Sequence, residues 1–182
     1  MIRKFVALLF ASITITAAAQ PPEELPAPVK EHEWLQQFAG EWTSESKASM
    51  GPGQPEMECK GTMGAKKLGG FWLIADLKGE WQGTQLHAIM TLGYDTEKKA
   101  YVGTWVDSMM NHMWKYEGHL DESGKKLVLG AEGPDFVQPG KTTKFRDAWE
   151  FKSADHIELT SSMLGPDGKW TTFMTGQFTR KK

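Results

Sequence analysis

Beyond Gly40 this chain is written in short runs of alternating side-chain character, broken by turn signals about every ten residues. No gap between runs is long enough for a crossover helix, so parallel βαβ units are excluded and neighbouring runs must pair as hairpins. The first run, "GEWTSESKASM", puts Trp42, Ser44, Ser46, Ala48 and Met50 on one face and Glu41, Thr43, Glu45 and Lys47 on the other. After the turn "GPGQP", "EMECKGTM" sets Met57, Cys59, Gly61 and Met63 against Glu56, Glu58, Lys60 and Thr62. "GGFWLIADLKGEW", "QLHAIMTLGYD", "AYVGTWVDSM", "SMMNHMWKYEGHL", "KLVLGAEG", "TKFRDAWEF", "HIELTSSML" and "KWTTFMTGQF" complete the set. The expectation is an all-β fold, an antiparallel up-and-down barrel of about ten strands, because closure removes the exposed edges of so long a meander.

Ahead of the strands, "EHEWLQQFAG" predicts one short helix, with Trp34, Leu35 and Phe38 on one side and Gly40 to end it. "QPPEELPAPVK", residues 20–30, is rich in proline and reads as an extended leader. Residues 1–19 have the layout of a secretory signal peptide: Arg3 and Lys4, an apolar run from Phe5 to Ile15, and Ala17-Ala18-Ala19 before Gln20. That apolar run falls short of the roughly 20 residues of a spanning helix. The expected organisation is therefore a removable signal, a leader, and one barrel domain over 31–182, exported to the periplasm or the medium.

The formal net charge of −2 would become about −4 once Arg3 and Lys4 left with the signal. A mildly acidic chain without a basic cluster lacks the electrostatic footprint of a nucleic-acid binder. The single Cys59 excludes an intrachain disulfide, and its place on an alternating face makes it a small buried hydrophobe.

The presumed inner face collects Trp42, Trp114, Tyr116, Phe145, Trp149, Phe151, Trp170 and Phe178. Small or polar residues sit among them, including Ser44, Ser46, Ala48, His112, Asp147, Ser161 and Thr172. Aromatic walls with a few polar groups describe a pocket for a small, largely apolar ligand, and small side chains on the first strand leave room for it. A fully packed core is the competing arrangement. Asp147 interrupts the apolar face of "KFRDAWEF" and must either be hydrogen-bonded inside or sit at a wet rim. "MMNHM", residues 109–113, invites a soft-metal reading, but strand geometry would split Met110 from Met109 and Met113. Gap-filling methionines at a barrel end are expected there, with no metal and no cofactor. No nucleophile elbow, zinc helix, phosphate loop or dinucleotide fingerprint occurs.

The runs "EHEWLQQFAGEWTSESKASMGPGQPEMECKGT", "TLGYDTEKKAYVGTWVDSMMNHMWKYEG" and "FKSADHIELTSSM" resemble the bacterial domain-of-unknown-function family 1579, over about Glu31 to Arg180. That family is placed among calycin-like barrels, and Gly40-Glu41-Trp42 looks like the Gly-x-Trp entry of lipocalin-type proteins. The resemblance implies a calycin- or lipocalin-like barrel and, by analogy, a ligand-holding interior. It implies no catalytic residue.

The expected function is binding of a small hydrophobic or amphipathic molecule inside the barrel. Trp42, Ser44, Trp114, Tyr116, Trp149 and Trp170 would line the site, with His112 and Asp147 orienting the ligand. Two alternatives use the same cavity: an enzyme with His112 as a base oriented by Asp147, or haem held by an inward histidine. A third is a cell-envelope interaction module with a filled core and exposed Trp72 and Trp81.

Overall fold

Aspartates placed where strands end do much of the turning. Asp95, Asp107 and Asp135 each accept hydrogen bonds through Oδ1 from the amides two and three residues onward, at 2.7–3.0 Å. The computed structural model describes residues 25–49, 55–81 and 83–182. The expected signal peptide, Met50 and the expected turn at 51–54 lie outside them.

Ten strands follow one short helix. They are α1 (Lys30–Leu35), β1 (Gly40–Ala48), β2 (Met57–Leu68), β3 (Trp72–Trp81), β4 (Thr84–Asp95) and β5 (Ala100–Asp107), then β6 (Trp114–Leu120), β7 (Lys126–Pro134), β8 (Thr142–Ser153), β9 (His156–Leu164) and β10 (Trp170–Arg180). Each strand pairs antiparallel with its sequence neighbours, and β1 closes the barrel on β10 from Trp42↔Arg180 to Ala48↔Met174. The up-and-down barrel and its end helix are as expected from alternation.

The core follows the period-two faces. Met63, Leu73, Ala75, Met90, Leu92, Leu127, Leu129, Trp149 and Ile157 are all nearly inaccessible. Phase is lost within β10. β10 carries a bulge between Thr172 and Met174, so one extra residue faces β9. Phe173 and Met174 both pack on the core, while Trp170 swings to the outer surface, 38% exposed, with the Arg146 guanidinium 4.1 Å from its ring centroid. Thr172 goes with it and meets Ser162 on the outside. Trp170 and Thr172, expected on the inner face, are therefore outside, because one inserted residue inverts a period of two.

The helix seals one barrel end. The Trp34 indole N–H donates to the Gly124 carbonyl at 2.8 Å, and Phe38 packs edge-on to Trp149 and Phe151. Arg180 ties the seal from the far end of the chain. It donates to the carbonyls of Ala39, Gln37 and Ala154 and lies 4.0 Å over the Trp42 ring. No helix among the described residues is long and apolar enough to cross a membrane.

Candidate functional site

Below the sealed end, the barrel is not filled. A cavity of about 340 Å³ occupies its other half, in the range of small-molecule sites. Its wall is aromatic: Trp81, Trp105, Trp114, Phe136, Phe145 and Trp149 all contribute. It runs toward the strand ends bearing the β3–β4, β5–β6 and β7–β8 connections, opposite the helix. The filled core required by the interaction-module alternative is not found.

The wall is made by rings packed edge to face. Phe145 stands 4.7 Å from Trp114 and 5.1 Å from Phe136, which in turn lies 5.9 Å from Phe173. Gly133 permits this: a Cβ there would run into the Trp114 ring. Phe136 comes from the β7–β8 connection, whose turn is held by Asp135.

One polar group interrupts the wall. Asp147 lies on the inward face of β8 between Phe145 and Trp149, paired across the ladder with Ser161 of β9. Its Oδ2 accepts a 2.6 Å hydrogen bond from the Tyr116 hydroxyl of β6. Burial pushes the Asp147 carboxyl above the usual carboxylate range, against which the nearby Ser161 and Tyr116 hydroxyls favour the ionised form. Burial, and then the Asp147 charge, hold the Tyr116 phenol well above its ordinary value. Asp147 is half-buried and lines the cavity, so it faces the space inside the barrel and not the outer surface. Two more polar atoms near it, Ser161 Oγ and Trp149 Nε1, are buried and make no hydrogen bond of good geometry.

The second carboxylate of the cavity, Asp107, is occupied. It accepts from the Trp105 indole N–H at 2.9 Å and from the amides of Met109 and Met110. Those bonds fold residues 108–113 into a loop, where the sequence predicted continuing strand. The alternation that set Met110 apart from its neighbours does not apply in a loop. Met109 and Met110 both line the cavity mouth, Met109 being half-exposed, and Met113 turns away into solvent.

The predicted site residues divide accordingly. Trp114, Tyr116, Asp147 and Trp149 meet around the cavity. His112 sits in the loop, its ring against Trp114 and its Nε2 3.2 Å from the Glu132 carbonyl. It does not contact Asp147, whose partner is Tyr116, so the His112–Asp147 dyad of the enzyme alternative is not assembled. No histidine among the described residues lines the cavity, and the residues present do not fit an axially held haem. Trp42 belongs to the sealed end, its indole N–H on the Phe38 carbonyl. Ser44 is half-buried beside Gly61, away from the cavity. Trp81, expected outside, lines the cavity and directs its indole N–H at Met57 Sδ, 3.4 Å away. Period two carried from Leu77 through Gly79 reaches it. Trp72 is exposed, as expected. Phe136 had no such signal, since it lies in a connection.

Residues 27–180 match a family model described as protein of unknown function, DUF1579. The chain belongs to the DUF1579 family. No curated protein matches the sequence. Among solved structures, the DUF1579 barrel is similar to Rv2717c from M. tuberculosis, with TM-score 0.64, 10% identity, and 86% and 100% of the two chains covered. It is also similar to the S-type phycobiliprotein lyase CPES from Guillardia theta, with TM-score 0.57, 12% identity, and 84% and 93% covered. Likenesses at such identities establish a shared barrel and nothing finer.

Proposed function

We propose that this DUF1579 protein is an exported binding barrel that holds one small, largely apolar or amphipathic molecule in its cavity. The observation that carries the reading is the aromatic enclosure of about 340 Å³, sealed by the helix and open at the opposite end. A barrel built only for stability would pack that half as densely as the other, since each unfilled methyl-sized void costs about 1 kcal/mol. Here rigid rings hold the space open. Trp114, Tyr116 and Trp149 would grip the apolar body, and Asp147 would orient it. Export is supported by the layout of Arg3-Lys4, the apolar run and the small residues before Gln20.

The test uses N-phenyl-1-naphthylamine, a neutral apolar fluorophore. Saturable one-to-one binding is expected, abolished by Ala131→Phe, which puts a ring into the cavity from β7. Absence of binding, or binding indifferent both to Ala131→Phe and to Met174→Trp, sinks the reading. N-terminal sequencing of the mature protein is expected to begin at Gln20.

A further inference from the structure

We propose that the molecule held in the cavity carries a positively charged, hydrogen-bond-donating nitrogen that docks on the Asp147 carboxylate. This rests on the binding reading above and narrows it from apolar molecules in general to amines with an apolar body.

The first ground is the sign of charge around the space. Asp107 and Asp147 line the cavity, and no lysine, arginine or histidine among the described residues does. None of the described ion pairs includes Asp147. A carboxylate inside protein is costly unless paired, so an unpaired one facing a void is complementary to a cation. A fatty acid or other carboxylate would instead bring like charge to the same place.

The second ground is hydrogen-bond capacity. A carboxylate has about four acceptor positions. Tyr116 takes one at Oδ2, and the neighbouring Ser161 hydroxyl can take at most one more. Asp147 itself lines the cavity, so acceptor capacity is left on that side. Ser161 itself is 1% exposed, and its buried hydroxyl adjoins Asp147 without bringing any positive charge to it. Asp107 offers no equivalent, because Trp105, Met109 and Met110 occupy it.

The third ground is the wall. Trp114, Tyr116 and Trp149 line the same cavity as the carboxylate, and aromatic faces attract cations within about 6 Å. Carboxylate and rings thus select the same ligand charge. The raised Asp147 carboxyl fits this, since its leading cause is burial and no cationic side chain offsets it.

Three probes of one shape separate the possibilities: 1-naphthylmethylamine, 1-naphthylmethanol and 1-naphthoate, titrated calorimetrically into the full mature chain at neutral pH. The amine is expected to bind at least about tenfold more tightly than the alcohol, and the naphthoate most weakly. In Asp147→Asn the amine should fall to within about threefold of the alcohol measured on the same variant. Naphthoate binding as tightly as the amine, or an amine advantage that survives Asp147→Asn, overturns the proposal. Should that variant fail to fold, the ranking on the native protein decides alone. Alcohol binding without amine preference sinks this inference only. Binding of none of the three sinks the cavity reading with it.

Discussion

Tyr116→Phe isolates the hydrogen bond on which the polar end of the cavity is built. The substitution keeps the ring, so apolar packing is unchanged and only the hydroxyl is lost. At 2.6 Å the bond is in the range of short charge-assisted contacts, and such bonds to ionised groups contribute about 1.5–3 kcal/mol. Asp147 opens onto the cavity and not onto the outer surface, so only water within the cavity can make up part of the loss. A destabilisation of about 2 kcal/mol is therefore expected at neutral pH. For a chain of 182 residues, that corresponds to a Tm lowered by about 4–8 °C. The assay is thermal and urea unfolding of wild type, Tyr116→Phe, Asp147→Asn and the double variant. In the Asp147→Asn background the hydroxyl meets a neutral amide, and its removal should cost about 1 kcal/mol, leaving a coupling of about 1 kcal/mol. Equal losses in the two backgrounds would refute the charge-assisted bond. So would a Tyr116→Phe melt within about 1 °C of wild type.

Burial raises the Asp147 carboxyl above the usual carboxylate range, so between the unfolded and folded values the native state binds the extra proton. Its contribution to stability is thus fully present below the ordinary carboxylate value and is lost as pH rises through the folded one. Asp147→Asn should remove that slope, and its stability relative to wild type should increase from about pH 4 upward; a difference that shrinks with pH would contradict the sign. Gly133→Ala should push the Trp114 ring toward the cavity, destabilising by about 1–3 kcal/mol and weakening N-phenyl-1-naphthylamine binding; unchanged melting and binding would show that the ring is not confined there.

Much of this protein was legible in the order of its residues. Side chains two apart in a strand must share a face, so Trp114 with Tyr116, Asp147 with Trp149, and Leu73 with Ala75 and Leu77 could be grouped before any pairing was known. Closure followed from the same local rule, because a meander of short hairpins has no other way to lose its edges. Tertiary structure decided what local periodicity cannot carry. A bulge at Phe173 inverted the outer part of β10 and put Trp170 in solvent. The Asp107 carboxylate ended β5 and turned residues 108–113 into a loop, which separated His112 from Asp147. Phe136 entered the wall from a connection with no period at all. Above all, Asp147 meets Tyr116 across β7, a distance of 31 residues in sequence. Alternation tells which way a side chain points, but only the closed barrel sets what it points at.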